Sequence, residues 1–231
     1  MIRDHFDRIF VLNMVRSIKR RAASIFQSSI FGLSNAEIIQ GVDGKTLDLE
    51  LMRSRGILRW DNHMKRDLTA GEVGCYLSHI TAWRTLMELN LKTALICEDD
   101  IIWRMDANEI VDQFMAEVPR DWDIIHFYSS VKVGSGFRND TGRKQISRYV
   151  WQGYNECGGA VCYALTARAA AFLLDIAFPI RYRVDGMTNW LTGWWKECNG
   201  YRGYVCRPFP CEIGTMPSEI DAVSQRPEEL N

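Results

Sequence analysis

Hydrophobic positions along this chain follow two periods. The run "IFVLNM" (Ile9 to Met14) is apolar without helical spacing and predicts a buried strand. "AEIIQGVDG" (Ala36 to Gly44) predicts a second short strand that breaks into a turn at Asp43-Gly44. "ALIC" (Ala94 to Cys97) and "DWDIIHFYS" (Asp121 to Ser129) have the same apolar continuity. In "GGAVCYALTARAAAFLLDIAF" a strand ends near Ala164, Thr166 caps a helix, and that helix runs to about Ala177 before Pro179 stops it.

Helical spacing fills the intervals. A helix is expected after the first strand, to about Ile30, and another over Ala107 to Glu117, broken by Pro119. The sharpest helical signal is "LTAGEVGCYLSHITAWRTLMEL". Thr69 followed three positions later by Glu72 is a capping-box pattern, and Val73, Tyr76, Leu77, Ile80, Trp83 and Met87 recur in steps that make one apolar stripe. Gly71, Gly74, Ser78 and Ala82 lie on a different, small-residue face. Each interior glycine costs a helix roughly 1 kcal/mol relative to alanine, so these predict a close approach by another backbone or a ligand.

Strands alternating with helices predict an α/β fold with a mostly parallel central sheet, as one domain over residues 1–231. Residues 45–67 read as loop or short irregular helices, residues 132–148 as a surface loop able to cover a site, and residues from about 200 to 231 as a segment wrapping the core.

Composition narrows the function. With 231 residues, 47% of them hydrophobic, the chain can bury a sizeable core. Its 28 basic and 29 acidic residues leave a net charge of -1, so no global field recruits nucleic acid or an anionic surface. Seven cysteines without a C-x-x-C pair read as reduced thiols acting mostly as small hydrophobes. No apolar run reaches a membrane span, and the charged start "MIRDHFDRIFVLN" does not read as a signal peptide. The expected location is therefore cytoplasmic, including the cytoplasmic face of a membrane by peripheral association.

Charge-based chemistry must then be local, and "ALICEDDIIW" concentrates it. Glu98, Asp99 and Asp100 leave the carboxyl end of a buried strand, the edge where open α/β sheets bind ligands. Strand alternation would point Glu98 and Asp100 one way and Asp99 the other. Their mutual repulsion is relieved by protonation, by basic partners or by a hard divalent cation, and the last suits Mg2+ or Mn2+ bridging to a diphosphate. Arg16, Lys19, Arg20 and Arg21 cluster at the start of the first helix, where phosphates are commonly held, although a solvated helix face is the plainer reading for any one arginine. Cys75 and His79 stand four apart on a helix, but no second pair completes a zinc site. A hydrogen-bonded structural histidine is the expectation for His79, with ligand contact its rival.

The elements "LTAGEVGCYLSHITAW" and "ALICEDDI", together with "VLNMVRSIKR", "WDIIHF" and "GGAVCYALTARAAAFLL" followed by Asp185, resemble glycosyltransferase family 25 over nearly the whole chain. The resemblance implies a GT-A type, Rossmann-like fold. It also implies metal-dependent, inverting transfer of a hexose, usually galactose, from a UDP-sugar to a hydroxyl of a glycan, lipid-linked or protein acceptor. Carried onto this sequence, Asp100 is the first choice for metal contact. Glu98 is the second metal contact, and Glu98 and Asp99 reach the metal's waters or the donor ribose. Asn13, Arg16 and Arg20 lie near the nucleotide, and Glu72, Ser78 and His79 touch or brace the donor site. Transfer also needs a base for the acceptor proton. Asp185 is the candidate, with a turn role before Gly186 equally open, and Glu156 is the reserve. A magnesium-dependent phosphohydrolase lacks its expected Thr partner in "EDDIIW". A catalytically inert sugar-binding module stays open.

Overall fold

A computed structural model describes residues 1–60, 66–130, 144–152, 159–189 and 200–215. Its elements in chain order are β1 (Arg8–Asn13), α1 (Ile18–Ile30), β2 (Ala36–Gln40), α2 (Leu49–Ser54), α3 (Ala70–Glu88), β3 (Thr93–Glu98), β4 (Ile101–Trp103) and α4 (Ala107–Glu117). There follow β5 (Ile124–His126), β6 (Lys144–Gln145), β7 (Val150–Gln152), β8 (Cys162–Thr166), α5 (Ala167–Asp175), α6 (Val184–Asn189), β9 (Gly203–Cys206) and β10 (Cys211–Ile213).

Eight strands form one sheet in the order β2-β1-β3-β8-β5-β9-β7-β6. Following the pairings across it, β8 and β7 run against the other six, so the sheet is mostly parallel by direction. Both faces are covered, which is why its strands read as continuous apolar runs. Side-chain alternation divides them between two cores. Phe10, Leu12, Ile96, Tyr163 and Leu165 join Trp83 of α3 and Leu173 of α5 on one face. Ile9, Leu95, Cys97, Cys162 and Ile125 join Phe114 of α4 on the other.

β2 and β3 flank β1 on opposite sides, all three parallel. The strand order therefore reverses at β1, and the crevice beyond the carboxyl ends of β1 and β3 is the position where open α/β sheets take ligands. Asn13 ends β1 and Glu98 ends β3, so the fold brings both sequence signals to this crevice.

Helix α3 carries the expected capping box: Thr69 Oγ1 accepts from the Glu72 N–H and the Glu72 carboxylate accepts from the Thr69 N–H. It is buried on two sides, because Gly71, Gly74, Ser78 and Ala82 are covered as well as Val73, Tyr76, Ile80 and Trp83. Met87 departs from the expected stripe: it is exposed, and Leu86 packs inward instead. The close approach at Gly74 is made by backbone, since a Cβ there would lie 2.7 Å from both the Gly44 nitrogen and the Val42 oxygen.

Two further departures come from long-range pairing. The stretch after residue 200 does more than wrap: β9 enters the central sheet between β5 and β7, while β10 pairs with β4 outside it. Helix α1 is inverted: Arg20 and Ser24 are buried, whereas Ile18, Ile25, Phe26 and Ile30 face outward at 54–73% exposure. Its inner face is polar because it packs on the acidic turn after β3. Of the loop expected over residues 132–148, only residues 144–148 are described.

Candidate functional site

An open cleft lies at the β1/β3 crevice, lined by Asn13 and Met14 at the end of β1, Arg16 and Arg20 from the α1 region, Gly41, Val42 and Gly44, one face of α3, and Glu98 to Asp100. Strand β3 stops at Glu98 and residues 99–100 form a turn, so the alternation expected of an extended chain ends there. Asp99 and Asp100 consequently turn to the same partner. Arg20 Nη1 donates to Asp99 Oδ1 at 2.9 Å and to Asp100 Oδ2 at 3.3 Å. The Asn13 amide donates to Asp99 Oδ2 at 2.6 Å, and the Ser24 hydroxyl donates to the Asp99 carbonyl at 3.2 Å.

Both Asp99 carboxylate oxygens are thus engaged, and Asp99 acts as a brace between β1, α1 and the turn. Arg20 and Asn13, expected beside the nucleotide, spend polar groups on it, yet both still line the cleft. Asp100 differs: its Oδ1 is buried and has no hydrogen-bond partner among the described residues. One guanidinium faces two carboxylates here, with Glu98 adjacent, so negative charge is in excess. Burial first, then the Glu98 charge, raises the Asp100 carboxyl from 3.8 to about 6 against the pull of Arg20. Burial likewise raises Asp99, opposed by Asn13 and Arg20. A hard divalent cation fits this donor set: two acidic residues, Glu98 and Asp100, side by side in the cleft lining, one of them with a carboxylate oxygen that has no partner among the described residues.

On the α3 wall, the Ser78 hydroxyl donates to the Gly74 carbonyl and accepts from the Val42 N–H, each at 2.8 Å, locking the 41–44 backbone to the helix. His79 is fully buried; its Nδ1 lies 2.8 Å from the Tyr163 hydroxyl, which accepts from Trp83 Nε1 at 2.9 Å. His79 Nε2 faces Glu98 Oε1 at 3.6 Å. Cys75 lines the same wall, and lost hydration together with the surrounding carboxylates pushes its thiol well up.

Other expected residues are placed elsewhere. Glu72 makes two bonds to Arg66, at 2.7 and 2.9 Å, besides its cap, and is not part of the cleft lining. Burial acts to raise its carboxyl, but Arg66 and the Thr69 N–H outweigh that and hold it low. Arg16 pairs with Asp43 at the cleft rim. Asp185 opens α6, where its Oδ1 accepts from the Gly186 N–H at 2.9 Å and its Oδ2 from the Gly159 N–H at 3.4 Å. It does not line the cleft itself. Glu156 lies outside the described residues.

Sequence patterns put Trp83 on the apolar stripe of α3 but gave neither it nor Tyr163 a place beside the site, because β8 and α3 meet only in the folded chain. His126, buried and neutral with burial pulling it to about 3, stacks on Tyr163 at 6.1 Å and was equally silent.

An α/β fold with a mostly parallel eight-stranded sheet and an acidic cleft at its switch point is consistent with the class of Rossmann-like glycosyltransferases. Residues 6–188 match glycosyltransferase family 25 (LPS biosynthesis protein), and the chain belongs to that family. It is similar to procollagen galactosyltransferase 1 of Danio rerio, 31% identical over 131 residues, or 52% of this chain and 21% of that protein. It is also similar to procollagen galactosyltransferase 2 of Homo sapiens, 28% identical over 131 residues, or 52% and 20%. A third relative is the probable inactive glycosyltransferase 25 family member 3 of Rattus norvegicus, 30% identical over 129 residues, or 52% and 22%. The matched region is thus about a fifth of the length of these relatives.

Proposed function

We propose that this chain transfers a hexose, galactose by analogy with its relatives, from a UDP-sugar to an acceptor hydroxyl, using Mn2+ or Mg2+ held by Asp100 and Glu98. The observation that carries this reading is Asp100, which lines the switch-point cleft and whose buried Oδ1 has no hydrogen-bond partner among the described residues. When bound, the cation neutralises charge on the departing diphosphate. Asp99 fixes the turn that aims Asp100, and Arg20 limits repulsion between the two acids. Arg16, at the rim, is the basic group set to meet the nucleotide phosphates. Asp185 is the proposed base for the acceptor proton, in keeping with inverting transfer, with Glu156 as the reserve.

The acceptor class favoured is lipid-linked glycan, with a cytoplasmic protein held peripherally on the membrane surface. Supporting this is the outward face of α1, where Ile18, Ile25, Phe26 and Ile30 are bordered by exposed Lys19 and Arg21, the composition of an interfacial helix on an anionic bilayer. No helix among the described residues is long and apolar enough to cross a membrane.

A screen of UDP- and GDP-sugars with Mn2+, read as nucleotide release, tests donor, metal and activity together. Turnover with one UDP-hexose, lost on chelation and in Asp100→Ala, is expected. Mn2+-dependent nucleotide binding without turnover would instead identify an inert sugar-binding module, a reading that the inactive relatives keep in view.

A further inference from the structure

We infer that Cys75, His79 and Glu98 form a second cation site, for Zn2+ or another borderline-soft divalent ion, on the α3 wall of the cleft. A thiol sulfur, an imidazole nitrogen and a carboxylate oxygen from these residues lie within 4.8 Å of one another. Two come from one turn of α3 and the third from the end of β3, so the set assembles only when helix and strand pack.

His79 points to a ligand independently. It is fully buried, yet its Nε2 has no hydrogen-bond partner among the described residues. The 3.6 Å from Nε2 to Glu98 Oε1 is too long for a hydrogen bond. It is close to the roughly 3.4 Å edge of a tetrahedron whose Zn–N and Zn–O bonds are about 2.0–2.1 Å. On the far side of the ring the Tyr163 hydroxyl lies 2.8 Å from Nδ1; in the tautomer protonated at Nδ1 it accepts that hydrogen bond, and the Nε2 lone pair is then aimed into the site. Trp83 Nε1 holds that hydroxyl in place at 2.9 Å.

The donor types separate this site from the one at Asp100. Sulfur and imidazole nitrogen favour Zn2+ over Mg2+ or Mn2+, whereas the Asp100 side of the cleft offers oxygen alone. Three protein ligands leave a fourth tetrahedral position, and all three residues line the open cleft. Metal binding here displaces the thiol proton to solvent and draws Glu98 toward α3. That last consequence for transfer rests on the proposed function; the site itself does not. Zinc held there takes Glu98 away from the donor cation and inhibits.

Co2+ is the probe, titrated into the reduced, metal-free full chain. One equivalent is expected to give tetrahedral d–d absorption with a thiolate-to-cobalt charge-transfer band, displaced by one equivalent of Zn2+. Cys75→Ser is expected to abolish the charge-transfer band and weaken Co2+ binding at least tenfold. His79→Gln is expected to weaken it similarly, with its folding checked by near-UV circular dichroism. Asp100→Asn is expected to keep the spectrum. No charge-transfer band in the native protein, or a band that survives in Cys75→Ser, overturns the site; a band lost in Asp100→Asn merges it with the hard-ion position and overturns its separateness. Under Mn2+-dependent turnover, equimolar Zn2+ is expected to inhibit the native chain and not Cys75→Ser. If no donor turns over, the proposed function fails while the cobalt spectra still decide the site.

Discussion

Replacing Asp100 by asparagine is expected to stabilise the protein while removing its metal-dependent activity. Asp100 has a carboxyl raised from 3.8 to about 6, and its side chain is 13% exposed. Because the folded value lies above the unfolded one, the fold disfavours the charged form. The penalty is absent below about pH 4, grows between the two values, and is complete above pH 6. At about 1.4 kcal/mol per pH unit, that displacement corresponds to about 3 kcal/mol at neutral pH. Asparagine keeps the shape without the charge, and Arg20 retains Asp99 as partner. Allowing for the lost Arg20–Asp100 attraction, a net gain of about 1–3 kcal/mol is expected. For a chain of this size each 1 kcal/mol moves the Tm by roughly 2–4 °C. Urea titrations of both proteins at pH 7.5 and pH 4, without divalent metal, measure the difference, which should be large at pH 7.5 and near zero at pH 4. Saturating Mn2+ at about a hundred times its Kd adds roughly 2.7 kcal/mol to the native chain only, reversing or cancelling the order. A variant less stable than the native chain at pH 7.5, or a difference independent of pH, would refute the buried-charge account.

Tyr163→Phe deprives both Trp83 Nε1 and His79 Nδ1 of their buried partner, so a loss of about 1–3 kcal/mol is expected by chemical denaturation. Gly74→Ala places a methyl 2.7 Å from the Val42 carbonyl and the Gly44 nitrogen, so α3 and the 41–44 backbone must separate. Roughly 1–3 kcal/mol of destabilisation is expected, with weaker nucleotide binding by calorimetry. Ile25→Ser with Phe26→Ser should sharply reduce co-sedimentation with anionic vesicles, while each change alters stability by no more than about 0.5 kcal/mol. Unchanged sedimentation would remove the membrane role of α1.

Much of the framework was legible because its signals are local. The Thr69/Glu72 box, the three- and four-residue rhythm of α3, the Thr166 cap and the unbroken apolar runs of β1 and β3 each depend on neighbours within a few positions. Met87 and the outward apolar face of α1 escaped, since which side of a helix is buried depends on what the fold sets against it. β9 escaped for the same reason: its partners β5 and β7 are distant in sequence.

At the site, the sequence alone determined that three acids end a buried strand beside a small-residue helix, because charge and periodicity are written residue by residue. Tertiary structure decided how those acids differ. The turn after Glu98 swings Asp99 onto Asn13 and Arg20, and leaves one Asp100 oxygen without a partner among the described residues. Packing of α3 on β3 and β8 brings Glu98 to Cys75 and His79, with Tyr163 behind the histidine ring. Partner choice among equivalent side chains is a matter of distances between remote segments, and only the packed chain sets those distances.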